Sequence, residues 1–299
     1  MASAASATLS RRRAWWLALR PFSYTAAIVP VLVGTAVAAD ETFRPGLFLL
    51  ALLGAVLILA GTNLATDFFD FVDGVQPKAS FGAAMQGGLL PAKAVHLAAI
   101  ACFGAGSACG LVIVAYAGWP ILAAGVASVL GGYFYVAAPV AYGRRGLGEV
   151  GVFFFMGPLM VMASSYVQVE RLSWGSFYAS LPVGILVANI LHANNLRDIE
   201  NDRARGKVTI AGIVARPAAD YLLWALVGSA FAAVIVCAAL GATPAWTLLA
   251  LFALPAAALT LRALRERQAA ALNALVRGAA RLHLHLGLLL ALGFLIEAL

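Results

Sequence analysis

Residues 47–74 read LFLLALLGAVLILAGTNLATDFFDFVDG. The first twenty carry no charge and are mostly Leu, Ala, Ile and Val, without polar–apolar alternation. At 1.5 Å per residue a helix of that length covers the ~30 Å apolar core of a bilayer. Backbone amides in lipid must be satisfied by a helix or a closed barrel, and barrel strands alternate. The stretch therefore reads as a spanning helix. Its end is unusual: Asn63 is followed closely by Asp67, Asp70 and Asp73.

Outward from this helix the same pattern repeats. The 299 residues are 63% hydrophobic and 11% charged, with a mean hydropathy of +0.93. Soluble domains stay near 45–50% apolar, so a soluble enzyme is excluded. Nine spans are expected, at 22–39, 47–66, 95–116, 121–141, 149–167, 176–196, 220–240, 245–262 and 280–298. The expected fold is an all-α integral membrane protein, one domain with nine transmembrane helices around a central cavity. Residues 1–13 are expected to be a disordered basic tail without a cleavable signal. With the amino terminus cytoplasmic, eighteen of the twenty Lys and Arg residues fall inside, leaving Arg44 and Arg171 outside. That asymmetry follows the retention of basic residues on the cytoplasmic side. The net charge of +7 thus reports topology and attraction to anionic lipid, not nucleic-acid binding. Cys102, Cys109 and Cys237 lie inside spans without metal spacing and read as packing residues.

The outer connections are short. Two inner loops, 67–93 and 198–217, are long and charged and follow spans two and six. They are the expected cytoplasmic active-site loops, suggesting two helical halves over one pocket. A third inner stretch, 262–278, reads as an amphipathic surface helix.

Six of the thirteen acidic residues lie in the two polar loops. Asn63, Asp67 and Asp70 are spaced to share a helix face, as are Asn194, Asp198, Asn201 and Asp202. Carboxylates gathered at a bilayer edge repel one another and are costly to desolvate. Mg²⁺ removes both costs, since it takes oxygen ligands and commonly bridges one or two carboxylates to a phosphate. Arg197, Arg203 and Lys207 would then meet the remaining phosphate oxygens. Either cluster alone reads equally well as a capped, solvated loop; two on one face point to a metal–diphosphate site.

At these residues the chain resembles the UbiA superfamily of membrane prenyltransferases, and within it the naphthoate polyprenyltransferases of menaquinone biosynthesis. The resemblance is carried by RPFSYTAAIVPVLVGTA, TDFFDFVDG, RRGLGEVGVFFFMGP, SSYVQ, ARLHLHLGLLLALG and above all NNLRDIENDRARGKVT at 194–209. It implies Mg²⁺ held by Asp67, Asp70, Asp198 and Asp202, with Asp73 a further metal candidate and Asn63 and Asn194 assisting. It implies Arg197 and Lys207 on the diphosphate, with Asn195 in the same motif. It also implies a polyprenyl diphosphate and an aromatic acceptor as substrates, with the active site facing the cytoplasm from the cell's inner membrane. Thr66 stands where the family usually has Asn, Gln76 where Asp is common, and Ala83 where Arg is usual; Lys78 is the expected substitute for that Arg.

Cation-stabilising rings are sought at Tyr133, Tyr135, Phe153, Phe154 and Tyr166. Glu149, at a helix start, reads as a dipole partner or as a group orienting the acceptor or a cation. His192 reads as a packing residue. His283 and His285, two apart on a helix, do not form a metal pair. Rival readings are another aromatic acceptor within the superfamily and a cation-coupled transporter, whose carboxylates belong nearer mid-membrane. A third, the CDP-alcohol phosphotransferases, lacks support because their dense DGxxAR…GxxxDxxxD spacing is absent.

Overall fold

The computed structural model describes residues 10–73, 88–204, 206–214, 216–265 and 269–299, all helical or connecting segments apart from one isolated bridge. Twelve helical elements follow in order. The first, α1, is Arg11–Leu19 and leads through a 3-10 turn, Pro21–Tyr24, into α2, Thr25–Val37. Next come α3 (Pro45–Val72), α4 (Ala92–Ala117) and α5 (Trp119–Phe134). The helix α6 runs over Gly148–Val169 and widens to a π turn at Phe155–Leu159. Pro158 sits inside that turn; its ring cannot donate and crowds the preceding turn, which the wider winding relieves. Then follow α7 (Trp174–Arg197), the short α8 (Ile199–Arg203) and α9 (Ile210–Val214), and α10 (Arg216–Ala239). Finally α11 covers Ala245–Arg262, beginning as 3-10, and α12 covers Ala269–Glu297.

Among the described residues eight segments are long and apolar enough to cross a membrane. The segment expected at 121–141 is α5, which ends at Phe134; sixteen residues rise only about 24 Å. Three expectations need correction. Arg11–Arg13 of the expected disordered tail belong to α1, whose Ser10 side chain accepts from the Arg13 amide. The loop expected from Asp67 begins later, because α3 continues to Val72. The surface helix expected over 262–278 is not a separate element: residues 269–278 form the first turns of α12.

Burial explains the layout. One apolar core joins α2, α7, α10, α11 and α12 through Val29, Val183, Leu186, Leu223 and Leu286. A second joins α1, α3 and α4 through Ala14, Ala18, Leu64, Val95 and Phe103. Ala26, Ala27, Leu59 and Val187 link the two. Small residues let the linking helices touch. A Cβ on Gly157 of α6 would lie 2.7 Å from the Gly184 Cα of α7, and one on Gly34 of α2 would strike the Val161 carbonyl. Close backbone approach of this kind replaces the hydrophobic drive that lipid does not supply.

Candidate functional site

Between the two cores lies a cavity of about 440 Å³. Its body is apolar, lined by Ala26, Ala55, Ile58, Leu59, Val152, Phe155, Met156 and Met160. Its mouth is charged, lined by Arg20, Asn63, Asp70, Asp73, Arg144, Asn194, Arg197, Asp202 and Lys207. Both acidic clusters therefore meet at one end of one cavity.

In the first cluster the helical spacing holds. Asn63, Asp67 and Asp70 lie on the inward face of α3, where Asn63 and Asp67 are buried. Asn63 Nδ2 donates to the Leu19 carbonyl at 3.2 Å and Ser23 Oγ at 3.1 Å. Asp67 is paired with Arg20, which closes α1 in the left-handed region at φ 51, an uncommon conformation for a non-glycine residue. Asp70 Oδ1 accepts from Arg144 Nη2 at 2.8 Å. Asp73, the last residue of α3's capping turn, accepts from Arg144 Nη1. Burial works against the Arg144 charge, but the bond to Asp73 and the charge of Asp70 outweigh it and raise its pKa.

The second cluster does not lie on one continuous helix face. The helix α7 stops at Arg197, and Asp198 turns the chain into α8. Arg197 folds back on its neighbour, Nε to Asp198 Oδ1 at 3.0 Å and Nη2 to Oδ2 at 2.7 Å. It also donates to Asn194 Oδ1 at 2.6 Å and Asn273 Oδ1 at 3.3 Å. Lys207 Nζ donates to Asp202 Oδ2 at 2.9 Å and Asn195 Oδ1 at 3.3 Å. Asp67 and Asp198 are both buried, and in each case the partner arginine is the group that lines the cavity. Arg203 binds the Gly212 carbonyl instead, at 2.6 Å through Nη2.

A single backbone bridge ties the clusters together. Gly146 donates to the Val208 carbonyl at 2.9 Å, and Val208 to the Arg144 carbonyl at 3.0 Å. Arg144, which holds Asp70 and Asp73, is thereby placed beside Lys207, which holds Asp202.

Four of the five proposed rings do not line the cavity. Phe154 is 52% exposed on the outer surface of α6. Tyr166 packs beside Leu47 and Ile113 in a separate cluster, and Tyr133 packs with Phe69 and Phe103. Phe153, meanwhile, meets Gly184 on α7. Tyr135 does line the cavity, together with three rings the sequence does not single out, Phe22, Tyr142 and Phe155. Tyr142 stacks edge-on to Tyr135 at 5.3 Å and lies 6.3 Å from Phe155. Burial pushes the Tyr142 phenol up to about 12, so it stays protonated and donates to the Gly131 carbonyl at 2.8 Å.

Glu149 and His192 are buried behind the mouth. Glu149 Oε1 accepts from Asn195 Nδ2 at 3.1 Å and faces His192 Nδ1 at 3.3 Å. Lys78, Gln76 and Ala83 lie outside the described residues. Arg20 and Arg144 were also missed as site residues, having been counted only as inner-face charges. The signal lay in their motifs, RPFSY and RRGLG.

The donor set suits a hard divalent ion, because the mouth offers carboxylate and amide oxygens and no thiolate. Among the described residues no three His, Cys, Asp or Glu side chains converge into a ready-made cage.

The described residues thus form a helical membrane protein whose cavity joins an apolar body to a mouth of paired carboxylates and cations. The chain belongs to the UbiA prenyltransferase family, whose model matches residues 27–291, and it is a transferase of prenyl groups. The 1,4-dihydroxy-2-naphthoate octaprenyltransferase of Bacillus subtilis (strain 168) is 30% identical over 288 residues, 94% of this chain and 92% of that protein. Its namesake in Escherichia coli (strain K12) is 35% identical over 213 residues, 68% of each. Among solved structures, a UbiA homolog from Archaeoglobus fulgidus bound to DMAPP and Mg²⁺ shares the fold, with a TM-score of 0.57 and 17% identity over 74% of this chain and 76% of that one.

Proposed function

We propose that this prenyltransferase moves a polyprenyl chain from its diphosphate to a dihydroxynaphthoate-like acceptor in menaquinone biosynthesis, with Mg²⁺ as its ion. The reading rests on one observation above all: both acidic clusters and four cations share the mouth of an apolar cavity. The names and coverage of the bacterial relatives support the acceptor class. The eighteen-to-two distribution of basic residues supports a mouth on the cytoplasmic side of the inner membrane.

Asp67, Asp70, Asp198 and Asp202 would hold the ion, with Asp73 at the rim and Asn63 and Asn194 beside them. When bound, it supplies Lewis acidity to the departing diphosphate oxygens. Arg20, Arg144, Arg197 and Lys207, which pair with those aspartates and line the cavity, would donate to the diphosphate oxygens. These cations stabilise the negative charge that grows as the allylic C–O bond breaks and its electron pair leaves with the diphosphate. Val152, Met156 and Met160 keep water from the resulting cation, and Tyr135, Tyr142 and Phe155 are the lining rings available to stabilise it. The acceptor carbon bearing the carboxylate forms the new C–C bond. Its bond to the carboxylate then breaks, CO₂ departs, and the electron pair restores the aromatic ring. No strong protein base is required.

Membranes containing the chain, given labelled polyprenyl diphosphate, are expected to label 1,4-dihydroxy-2-naphthoate with equimolar release of CO₂. Transfer to 4-hydroxybenzoate in preference, with the carboxylate retained, would contradict the acceptor assignment while leaving prenyl transfer itself intact.

A further inference from the structure

Behind the charged mouth, a buried polar chain crosses from α10 to the cavity. His192 Nε2 lies 2.9 Å from the Ala219 carbonyl, which can only accept, so Nε2 carries the hydrogen. The other ring nitrogen faces Glu149 Oε1. The same oxygen accepts from Asn195 Nδ2, and Asn195 Oδ1 accepts from Lys207 Nζ. His192, Glu149 and Asn195 are all buried, and none of them lines the cavity. Only Lys207, at the end of the chain, reaches it.

The order of groups is fixed by what each can do. An ionised carboxylate accepts only, and an ammonium donates only. A side-chain amide fits between them in one orientation, nitrogen toward Glu149 and oxygen toward Lys207. Turned over, it would set its amino group against the ammonium and its oxygen against the carboxylate. Glu149 therefore decides which way Asn195 points, and Asn195 is the second anchor of the Lys207 ammonium beside Asp202, whose Oδ2 accepts at 2.9 Å. When the ammonium turns from Asp202 to a diphosphate, Asn195 is the anchor that stays. A carboxylate serving only the start of α6 could do so from solvent. This one reaches across to α7, where burial is costly unless the charge is used.

We propose that Glu149 is a positioning residue for the diphosphate: through Asn195 it sets the direction from which Lys207 reaches the leaving group, and it does not touch the aromatic acceptor. The proposal rests on the reading of Lys207 as a diphosphate contact.

The test is a double-mutant cycle on the full chain in detergent, read as the KM for prenyl diphosphate and the inhibition constant of inorganic pyrophosphate. Lys207→Ala, Asn195→Ala and Glu149→Leu are each expected to raise both by about tenfold, the scale of one charge-assisted hydrogen bond, with the acceptor KM within about twofold. In the Lys207→Ala background, Glu149→Leu and Asn195→Ala are expected to add less than about twofold, because they act through the removed lysine. Glu149→Gln keeps an acceptor for Asn195 and is expected to stay within about threefold of the unaltered enzyme. Effects that multiply in the double variants would overturn the proposal, as would a change confined to the acceptor KM or a loss in Glu149→Gln equal to that in Glu149→Leu. If Glu149→Leu fails to fold, Asn195→Ala carries the same test. Unchanged pyrophosphate inhibition in Lys207→Ala would refute the lysine's role itself, and the positioning of it with that role. An additive cycle on an impaired Lys207→Ala refutes the positioning alone.

Discussion

Asp67→Asn and Asp202→Asn are each expected to slow prenyl transfer by about 10²–10³-fold, the loss seen when one preorganised electrostatic element is removed from a reacting charge. Both carboxylates are buried and paired, Asp67 with Arg20 and Asp202 with Lys207. Each substitution keeps the side chain's shape and removes its charge, so a proposed ion ligand would be lost. The freed cation loses its partner too, and breaking a buried pair in this one-sided way is strongly destabilising. Thermal unfolding of the purified variants separates that cost from the kinetic one. Asp73→Asn provides the contrast. Its side chain is 45% exposed at the end of α3, where an ion pair is worth at most about 1 kcal/mol, and the expected loss is no more than about fivefold. Equal losses at all three positions would mean that burial does not rank the carboxylates, and the proposed division of labour would be wrong.

Chelation is expected to have the other large effect. Transfer is expected to fall to background in excess chelator and to return with Mg²⁺, while Ca²⁺ restores it poorly because it favours more ligands in a looser shell. The unfolding temperature is expected to stay where it was. Each motif aspartate already has a cationic partner, whether Arg20, Arg144, Arg197 or Lys207. The bundle's cohesion comes from apolar cores such as that joining α7 and α12, which contain no carboxylate. Structural metal sites behave differently, since there the binding energy is folding energy. Undiminished transfer in chelator would leave the cations alone to stabilise the leaving group.

Much of this was legible from the residues. The face shared by Asn63, Asp67 and Asp70 follows from helical spacing, because α3 runs unbroken past all three. The face expected for Asn194, Asp198 and Asp202 fails because α7 stops at Arg197. Nothing in the spacing announces that break, since Asp and Asn fit a helix end as well as a helix face. Aromatic residues in an apolar helix give no sign of which side meets lipid. The sequence therefore does not separate Phe154, which faces outward, from Phe155, one residue on, which lines the cavity. Arg20 and Arg144 were hidden by their usefulness elsewhere, for a basic residue at a span end is explained by topology alone. Only the fold shows that the chain turns at Arg20 toward Asp67, and that a backbone bridge from Arg144 to Val208 joins the loops.

The most direct measurement is the structure of the full chain with Mg²⁺ and a prenyl thiodiphosphate that resists cleavage. The account predicts the headgroup between Asp67 and Asp70 on one side and Asp198 and Asp202 on the other. Arg20, Arg144, Arg197 and Lys207 should have turned from their aspartates to its oxygens, with the tail running past Met156. A headgroup bound elsewhere, or bound here with all four cations still on their aspartates, would contradict it.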